Sequence, residues 1–323
     1  MKLIDNIRRK FRKPAATEWS SQDWSVFAAK QSAYRTARSA AAALPPVRLR
    51  SSTLSLTSKT VTQDDLSSAW ARYWLRELGE PFRFHRQPWE FAYVLQSLRD
   101  NKGIGQGVKA LVLGEQRNPL LSYLAARGVK STVLLATTDP AAINAEALRN
   151  MAHRHELISG AQFDEAVSAA SGVIGALPTE LGDFDVVWSI DHLNRLGDAL
   201  AARQEVLAAI DRLRPGGTGV FIFDLDLSSK GTGAGAGAKR MRRGDVKFIA
   251  KQLIAAGHYV APLNFKAGGG PLDCFIDTPP YAGNMSTDLQ EVWGSESLHL
   301  KLMLGGAVCT SFGLTVTTRP AFD

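Results

Sequence analysis

The stretch from Ala110 to Asp139 decides the fold class; it reads A-L-V-L-G-E-Q-R-N-P-L-L-S-Y-L-A-A-R-G-V-K-S-T-V-L-L-A-T-T-D. The apolar run up to Leu113 predicts a buried strand, and Gly114 interrupts it. Apolar residues at helical spacing then predict a helix that ends at Gly128, and a second apolar run closes on Asp139. The order of strand, turn, helix, strand and acid is typical of a unit that binds a nucleoside.

The remainder of the chain continues to alternate between predicted strands and helices. Further strands are predicted at Phe184–Ser189, Val220–Phe223, near Val260–Leu263 and near Gly313–Thr317, and further helices at Ala141–His153, Leu200–Leu213 and Arg243–Ala256. A weak third strand is expected between His155 and Gly175. Strands separated by helices of about 10–15 residues predict an α/β fold with a doubly wound, mostly parallel, seven-stranded Rossmann-like sheet.

The chain divides into two predicted parts. Residues 1–60 are rich in Ala, Ser, Thr and Arg, which predicts a basic, partly irregular N-terminal arm with a helix around Trp24–Ala43. Residues 61–323 are predicted to form the α/β domain. That domain begins with a helical lead-in at residues 64–100, including a helix at Gln87–Arg99, and has its core at residues 108–323.

Composition excludes several classes of protein. With 323 residues and 45% hydrophobic content the chain can bury a sizeable core, but its apolar runs are far shorter than the ~20 residues of a membrane span. No apolar segment of a secretory signal follows the basic start, which predicts a cytoplasmic location. The two cysteines, Cys274 and Cys309, form neither a disulfide framework nor a metal-binding spacing.

The net charge of +7 is unevenly distributed. The segment Met1–Pro14 carries six basic residues with apolar residues at helical spacing, which is typical of peripheral contact with an anionic membrane or, alternatively, of a solvated terminus. A second basic cluster occupies Lys239–Arg243. Neither cluster is interleaved with aromatic residues or belongs to a known module, so nucleic-acid binding is not predicted. The composition is compatible with a homo-oligomer.

Two blocks carry a family resemblance. The strings D-F-D-V-V-W-S-I-D-H-L-N at Asp183–Asn194 and I-D-R-L-R-P-G-G-T-G-V-F-I-F at Ile210–Phe223 resemble the fourth strand, the fifth strand and the intervening turn of class I S-adenosylmethionine-dependent methyltransferases. Three further strings are similar to a bacterial subgroup that occurs with glycosyltransferases in surface-polysaccharide pathways. These are F-H-R-Q-P-W-E-F-A-Y-V-L-Q at Phe84–Gln96, A-P-L-N-F-K-A-G-G-G-P-L-D at Ala261–Asp273 and C-T-S-F-G-L at Cys309–Leu314.

The resemblance implies S-adenosylmethionine as cofactor and a sugar or glycan precursor as acceptor. By position, Asp139 corresponds to the acid that accepts hydrogen bonds from the ribose, and the first turn approaches the cofactor. A helix ahead of this unit covers the methionine end, where Glu90 pairs with the ammonium group. The implied cofactor residues are Gly114, Glu115, Asp139, Glu90, Trp89 and Tyr93.

The chain departs from the subgroup at the first turn. The subgroup has three glycines in a G-x-G-x-G arrangement, whereas Val112 and Gln116 replace the outer two here, and Asn118 replaces an acid. Side chains at these places crowd the cofactor unless the loop has moved. The acid that binds the adenine amine in the family has no clear equivalent in this chain, and Asp164 and Glu165 are the candidates for this role.

Methyl transfer to a hydroxyl is an in-line displacement, which needs approach geometry and a base. His192, which follows the fourth strand next to Asp191, is the predicted base; the alternative is a histidine that caps or packs the strand end. No metal is predicted, because Asp224 and Asp226 have no further ligand cluster. The predicted acceptor-binding residues are Asp224, Asn264, Asp273 and Tyr281. The alternative for the loop segment that carries Asn264, Asp273, Asp277 and Tyr281 is that its polar side chains cap loop backbone.

Together these patterns predict an S-adenosylmethionine-dependent O-methyltransferase. The alternative is a catalytically inactive protein of the same fold that serves as a scaffold or partner-binding module, with the basic arm as its contact surface. A nicotinamide dehydrogenase fits less well, since it requires a G-x-G-x-x-G turn.

Overall fold

The structure is a computed structural model that describes residues 21–136, 145–172, 177–178, 180–228, 240–281 and 297–321. Its helices are α1 Ser21–Ala42, α2 Gln63–Ser67, α3 Ala69–Leu78, α4 Arg86–Asp100, α5 Leu120–Ala125, α6 Ala145–Ala152, α7 Gly160–Ala166, α8 His192–Arg195, α9 Ala199–Ile210 and α10 Arg243–Ala255. A short 3-10 helix covers Pro271–Cys274.

The strands fall into long central strands and short peripheral ones. They are β1 Ser58–Thr60, β2 Phe84–His85, β3 Lys109–Leu113, β4 Lys130–Ala136, β5 Val167–Gly172, β6 Phe184–Ile190, β7 Leu213–Asp226, β8 Met241–Arg242, β9 Tyr259–Val260, β10 Leu263–Asn264, β11 Ile276–Asp277, β12 Leu298–His299, β13 Lys301–Leu304 and β14 Ala307–Thr317.

The central sheet has the strand order β10-β1-β14-β7-β6-β3-β4-β5. The strands β5, β4, β3, β6 and β7 run parallel, and β14 pairs antiparallel with β7 from Cys309 to Thr317. From β3 the chain winds outward through β4 and β5, then returns to β6 on the other side, so the strand order reverses between β3 and β6. The predicted α/β fold with a doubly wound, mostly parallel sheet is therefore confirmed, although short strands raise the total from seven to twelve.

Two hydrophobic cores cover the two faces of the sheet. One core contains apolar residues of α1, α3, α4, α5, α6 and α7, and the other contains those of α9 and α10. The apolar run Ala110–Leu113 is fully buried because helices cover both faces of β3, and this is why a continuous apolar run marks a parallel strand.

The N-terminal segment is integrated with the domain from Ser21 onward. Helix α1 was predicted, and it buries Phe27, Tyr34 and Ala37 at helical spacing in the first core. Strand β1 pairs with both β14 and β10, so the predicted boundary at residue 60 falls at the end of a strand of the sheet. The basic residues of Met1–Pro14 lie outside the described residues.

Several elements differ in extent from the prediction. The predicted turn at Arg214–Gly217 is part of β7, because Leu213 already pairs with Phe184 and the register resumes at Thr218 after a bulge. The third strand is β5, which follows α7 directly. No helix among the described residues has the length and apolar content that crossing a membrane requires.

Candidate active site at the carboxyl ends of β6 and β7

One arginine contacts three carboxylates where β6 and β7 end. Arg86, in the first turn of α4, bonds through Nη1 to Asp224. Its Nη2 lies 3.5 Å from Asp191 Oδ1, and its Nε lies 3.5 Å from Glu90 Oε1. In open α/β sheets, ligands bind outside the carboxyl ends of the strands, next to the reversal of strand order. We call these four residues the carboxylate cluster.

Asn194 links the turn that carries Asp191 to the strand that carries Asp224. Its Nδ2 donates to Asp191 Oδ1 at 2.9 Å, and its Oδ1 accepts from the backbone N–H of Asp224 at 2.8 Å. Asp191 has a left-handed backbone with φ of 62°, a conformation that Asp tolerates better than most residues. The backbone geometry after β6 thus directs the Asp191 carboxylate toward Arg86.

The carboxylate cluster carries excess negative charge. With every group ionised, three carboxylates face one guanidinium. Burial raises the pKa of Glu90 to about 7 even though Arg86 opposes the shift, and the Ser311 hydroxyl donates to its Oε1. Burial also raises the pKa of Asp191. Burial alone lowers the pKa of Arg86, but Asp224 and the other two acids outweigh it and raise that pKa above its usual range.

Asp191 is the accessible member of the carboxylate cluster. Its side chain is 44% exposed, against 14% for Arg86, 9% for Asp224 and 3% for Glu90. A ligand that reaches this edge of the sheet therefore meets Asp191 first. The arrangement suits a cationic group, or a hydroxyl whose proton Asp191 accepts.

His192 lies beneath the first turn. Its Nε2 is 3.0 Å from Glu205 Oε1 of α9, and both side chains are buried. Gly114, with φ of 78°, packs against the ring so closely that a Cβ there would lie 2.7 Å from His192 Nδ1. Only glycine combines this backbone conformation with this close approach. The alternative interpretation, a histidine that packs near the strand end, describes this geometry.

Gln116 occupies the crevice between the ends of β3 and β6. Its side chain is buried, and its Nε2 donates to Leu113 O at 2.9 Å and to Ile190 O at 3.2 Å. Asn118 Nδ2 donates to Gln116 Oε1 at 2.9 Å. The turn is therefore closed by its own side chains.

A nucleoside cofactor fits this turn only after Gln116 rotates outward. The rotation costs the two hydrogen bonds to the strand-end carbonyls and the one from Asn118, each worth about 1 kcal/mol net. Val112 does not take part, since it lies inside β3 and is fully buried. The fit to the cofactor therefore depends on one side chain.

Trp89 and Tyr93 belong to the core between α4 and β14. Trp89 Nε1 donates to Asp65 Oδ2 at 3.0 Å. The Tyr93 hydroxyl donates to Gly313 O at 3.0 Å, and the Tyr93 ring occupies the space that a side chain at Gly313 would need. Both residues are fully buried. The prediction that they cover the cofactor is corrected, because a fully buried ring with a bonded polar atom has no surface for a ligand.

The remaining candidates for contact with the cofactor are Glu115, Asp139 and the two acids that stand in for the adenine-binding acid. Glu115 is exposed on the first turn, 3.5 Å from Arg117 Nε and 3.9 Å from Arg195 Nη1. Asp139 lies outside the described residues. The stand-ins Asp164 and Glu165 are on α7, immediately before β5, and so lie at the amino-terminal edge of the sheet, opposite the cofactor crevice.

Two of the predicted acceptor residues hold their own loop. Buried Asp273 accepts from the backbone N–H of Gln63 at 2.8 Å and from that of Gly270 at 3.0 Å. Asn264 accepts from the backbone N–H of Lys266 at 3.0 Å. These contacts match the alternative that polar loop residues cap backbone.

A second buried ionic group joins α1 to the C-terminal strands. Asp277 is fully buried and lies 2.9 Å from Lys30 Nζ and 2.6 Å from His299 Nδ1. The His299 ring stacks on His85 at 4.6 Å, and the Tyr281 ring meets His299 edge-on at 5.5 Å. We call Lys30, Asp277 and His299 the lysine network.

Sequence reasoning missed Arg86, Asn194, Ser311 and Glu205. Arg86 had a signal, since it immediately precedes the predicted helix and stands four residues before Glu90, a spacing that places the two side chains on one face if the helix extends to it. The other three become recognisable only once the strands are paired. Within the described residues, no group of three or more His, Cys, Asp or Glu side chains is placed to hold a metal ion.

Comparisons with known proteins give similarities among solved structures alone. No protein-family model matches the sequence, and no curated protein sequence matches it. The cyclase SpnF matches with a TM-score of 0.46 at 13% identity, over 84% of this chain and 100% of its own.

Two further structures are methyltransferases. A TehB-like S-adenosylmethionine-dependent methyltransferase from Corynebacterium glutamicum matches with a TM-score of 0.37 at 17% identity, over 77% of this chain and 96% of its own. The glycopeptide N-methyltransferase MtfA matches with a TM-score of 0.38 at 14% identity, over 73% of this chain and 96% of its own. At these scores the similarities carry no argument about activity, so the proposal below rests on the site.

Proposed function

We propose that this chain is an S-adenosylmethionine-dependent O-methyltransferase that acts on a hydroxyl of a sugar or glycan precursor. The observation that supports it is the carboxylate cluster, which places the half-exposed Asp191 at the reversal of strand order, where open α/β sheets bind ligands. When bound, the cofactor would supply an electrophilic methyl group on a sulfonium cation.

The proposed cofactor residues are Gly114, Glu115, Asp139 and Glu90. Gly114 provides the turn and Asp139 accepts from the ribose. Glu90 is buried, so its role is the negative charge that it adds behind the accessible Asp191, which favours the positive methionine end. Trp89 and Tyr93 are not part of this proposal.

Asp191 is the proposed base, in place of His192. The Asp191 carboxylate is accessible, and burial raises its pKa toward the range in which a carboxylate accepts a proton effectively. His192 is buried and bonded to Glu205. Asp224, held by Arg86, and Tyr281 remain the proposed acceptor-binding residues, whereas Asn264 and Asp273 shape the loop.

Titration of the full chain with S-adenosylhomocysteine, followed by calorimetry, tests this proposal. We expect measurable heat with the wild type and no heat with Asp139→Ala. Asp164→Ala is the matched control, because this acid lies at the opposite edge of the sheet, and its affinity should equal that of the wild type. Absence of heat with the wild type at high micromolar ligand, together with no thermal stabilisation, overturns the proposal.

Gln116 supports a second candidate, a catalytically inactive protein of this fold that serves as a scaffold. If Gln116 holds the crevice closed, the wild type should not bind S-adenosylhomocysteine, and Gln116→Gly should gain binding. If the chain is an enzyme, the wild type binds and Gln116→Gly binds at most about 150-fold more tightly, which corresponds to three hydrogen bonds of about 1 kcal/mol each. Arg117→Ala, at an exposed residue of the same turn, is the control.

A further inference from the structure

Helix α10 presents a row of exposed cations to solvent. Arg243, Lys247 and Lys251 follow each other at four-residue intervals, so their side chains lie along one side of the helix. The buried residues of α10 face the second core from the other side.

The neighbouring acids do not neutralise this row. The carboxylates nearest in sequence are engaged elsewhere, Asp245 with Arg203 at 3.4 Å and Asp226 with Arg242 at 3.8 Å. No ion pair among the described residues includes Arg243, Lys247 or Lys251.

Large apolar side chains are exposed beside the cations. Ile254 is 58% exposed and falls, by helical geometry, between Arg243 and Lys247 on the same side. Phe248 and Tyr259 are 42% and 62% exposed. The described residues expose six large apolar side chains, and these three are half of them, so the apolar exposure is concentrated here.

Aromatic rings support the cations from below. Arg243 and Lys247 lie over the Phe265 ring at 5.9 Å and 6.0 Å from its centroid. Phe265 itself stacks on the buried Phe312. The two charges are therefore held at the surface by cation–π contacts rather than folded back onto acids.

We propose that this face, consisting of Arg243, Lys247, Lys251, Ile254 and Phe248, docks on an anionic lipid surface. A helix with cations beside exposed apolar side chains matches the interfacial regions of peripheral proteins, where cations attract lipid headgroups and apolar side chains enter the boundary. An acidic protein partner would satisfy the cations but would leave Ile254 and Phe248 without an apolar contact.

The position of α10 gives such docking a consequence. Strand β8, immediately before α10, pairs with the last two residues of β7. The N-terminal end of the helix therefore lies at the same edge of the sheet as the carboxylate cluster. A membrane bound at this face would bring that edge close to the lipid surface.

Vesicle co-sedimentation of the full chain tests this docking. We expect binding to vesicles of phosphatidylcholine mixed with phosphatidylglycerol and no binding to phosphatidylcholine alone. Lys247→Gln with Lys251→Gln should weaken binding about 25-fold, about fivefold for each neutralised lysine. Ile254→Ser should weaken the part of the binding that persists at high salt.

Matched variants separate this face from other basic regions. Lys109→Gln with Lys130→Gln removes the same charge from exposed lysines at the amino-terminal edge of the sheet, and should leave binding within about twofold. An equal loss in this control, or loss only on neutralising Arg8 and Arg9, overturns the proposal. So does binding to polyglutamate without binding to anionic vesicles, which assigns the face to an acidic protein.

Discussion

The carboxylate cluster and the lysine network are two buried ionic groups that differ in charge balance. In the lysine network one buried Lys30 faces one fully buried Asp277, and His299 bonds to the second carboxylate oxygen. In the carboxylate cluster Arg86 faces three acids, one of which, Asp191, is 44% exposed. In the lysine network opposite charges face each other and are buried, whereas the carboxylate cluster has more carboxylates than cations and one member that solvent reaches.

This difference distinguishes a structural ionic group from a candidate site. A balanced buried pair costs desolvation, which its own attraction offsets, and it fixes how elements join. A group with excess charge and an accessible member can still attract a ligand of opposite charge. Shifted pKa values, such as those of this cluster, are also typical of functional sites. Four substitutions test whether the two groups behave in this way.

The largest effect on stability is expected from Asp277→Asn. Asp277→Asn removes the carboxylate charge from a fully buried contact with the Lys30 ammonium, and we expect the free energy of unfolding to fall by about 3–5 kcal/mol. Urea unfolding measures it. A loss below about 1 kcal/mol would contradict the assignment of this group as a structural joint.

Arg86→Met should destabilise the fold by an amount that depends on pH. At pH 7 we expect a loss of about 3 kcal/mol, because three carboxylates lose their counter-ion. At pH 5 the loss should be smaller, since acids whose pKa is raised take up protons before the fold is lost. Arg149→Met, which removes an exposed partner of Asp164, is the control and should show no such pH dependence.

Glu90→Gln should change how stability depends on pH. The folded pKa of about 7 exceeds the unfolded value of 4.5, so the folded state binds more protons between these values. Stability contributed by this group is therefore present below about pH 4.5 and falls as pH rises through 7. In Glu90→Gln that slope should disappear, as seen by urea unfolding across this range, whereas Glu115→Gln should retain it.

The smallest effect on stability is expected from Asp191→Asn. Because this side chain is half exposed, we expect a change within about 1 kcal/mol. Under the proposed function, methyl transfer from radiolabelled S-adenosylmethionine to nucleotide sugars should fall about 10²- to 10⁴-fold while affinity for S-adenosylhomocysteine stays unchanged. Unchanged transfer would remove Asp191 as the base.

The fold could be predicted from the sequence because its central strands are apolar throughout. The run Ala110–Leu113 reads as a strand whatever surrounds it, and Gly114 marks its end. The bulge within β7 at Arg214–Gly217 could not be predicted, because it depends on the pairing of Leu213 with Phe184 of β6, which no local pattern encodes. Local signals identify elements, but they do not identify their partners.

The candidate site was predictable only in part for the same reason. Asp191 and Asp224 follow predicted strands, so their shared edge was predictable. Arg86 joins them across more than 100 residues of sequence, which no local pattern encodes. Trp89 and Tyr93 have the same spacing whether they face a ligand or the core, and burial alone decides between the two.

The contact between Lys30 and Asp277 also has a consequence for biosynthesis. A ribosome adds Lys30 some 250 residues before Pro280, whose carbonyl accepts from the Lys30 ammonium at 2.7 Å. Until that distant segment is made, α1 lacks its contacts with Asp277, Pro280 and Ser297, and its apolar face, which includes Phe27 and Tyr34, is less firmly held against the core and more available to chaperones or other nascent chains. Among the helices that the structure describes, the one that is synthesised first therefore completes its contacts only when the C-terminal strands are made.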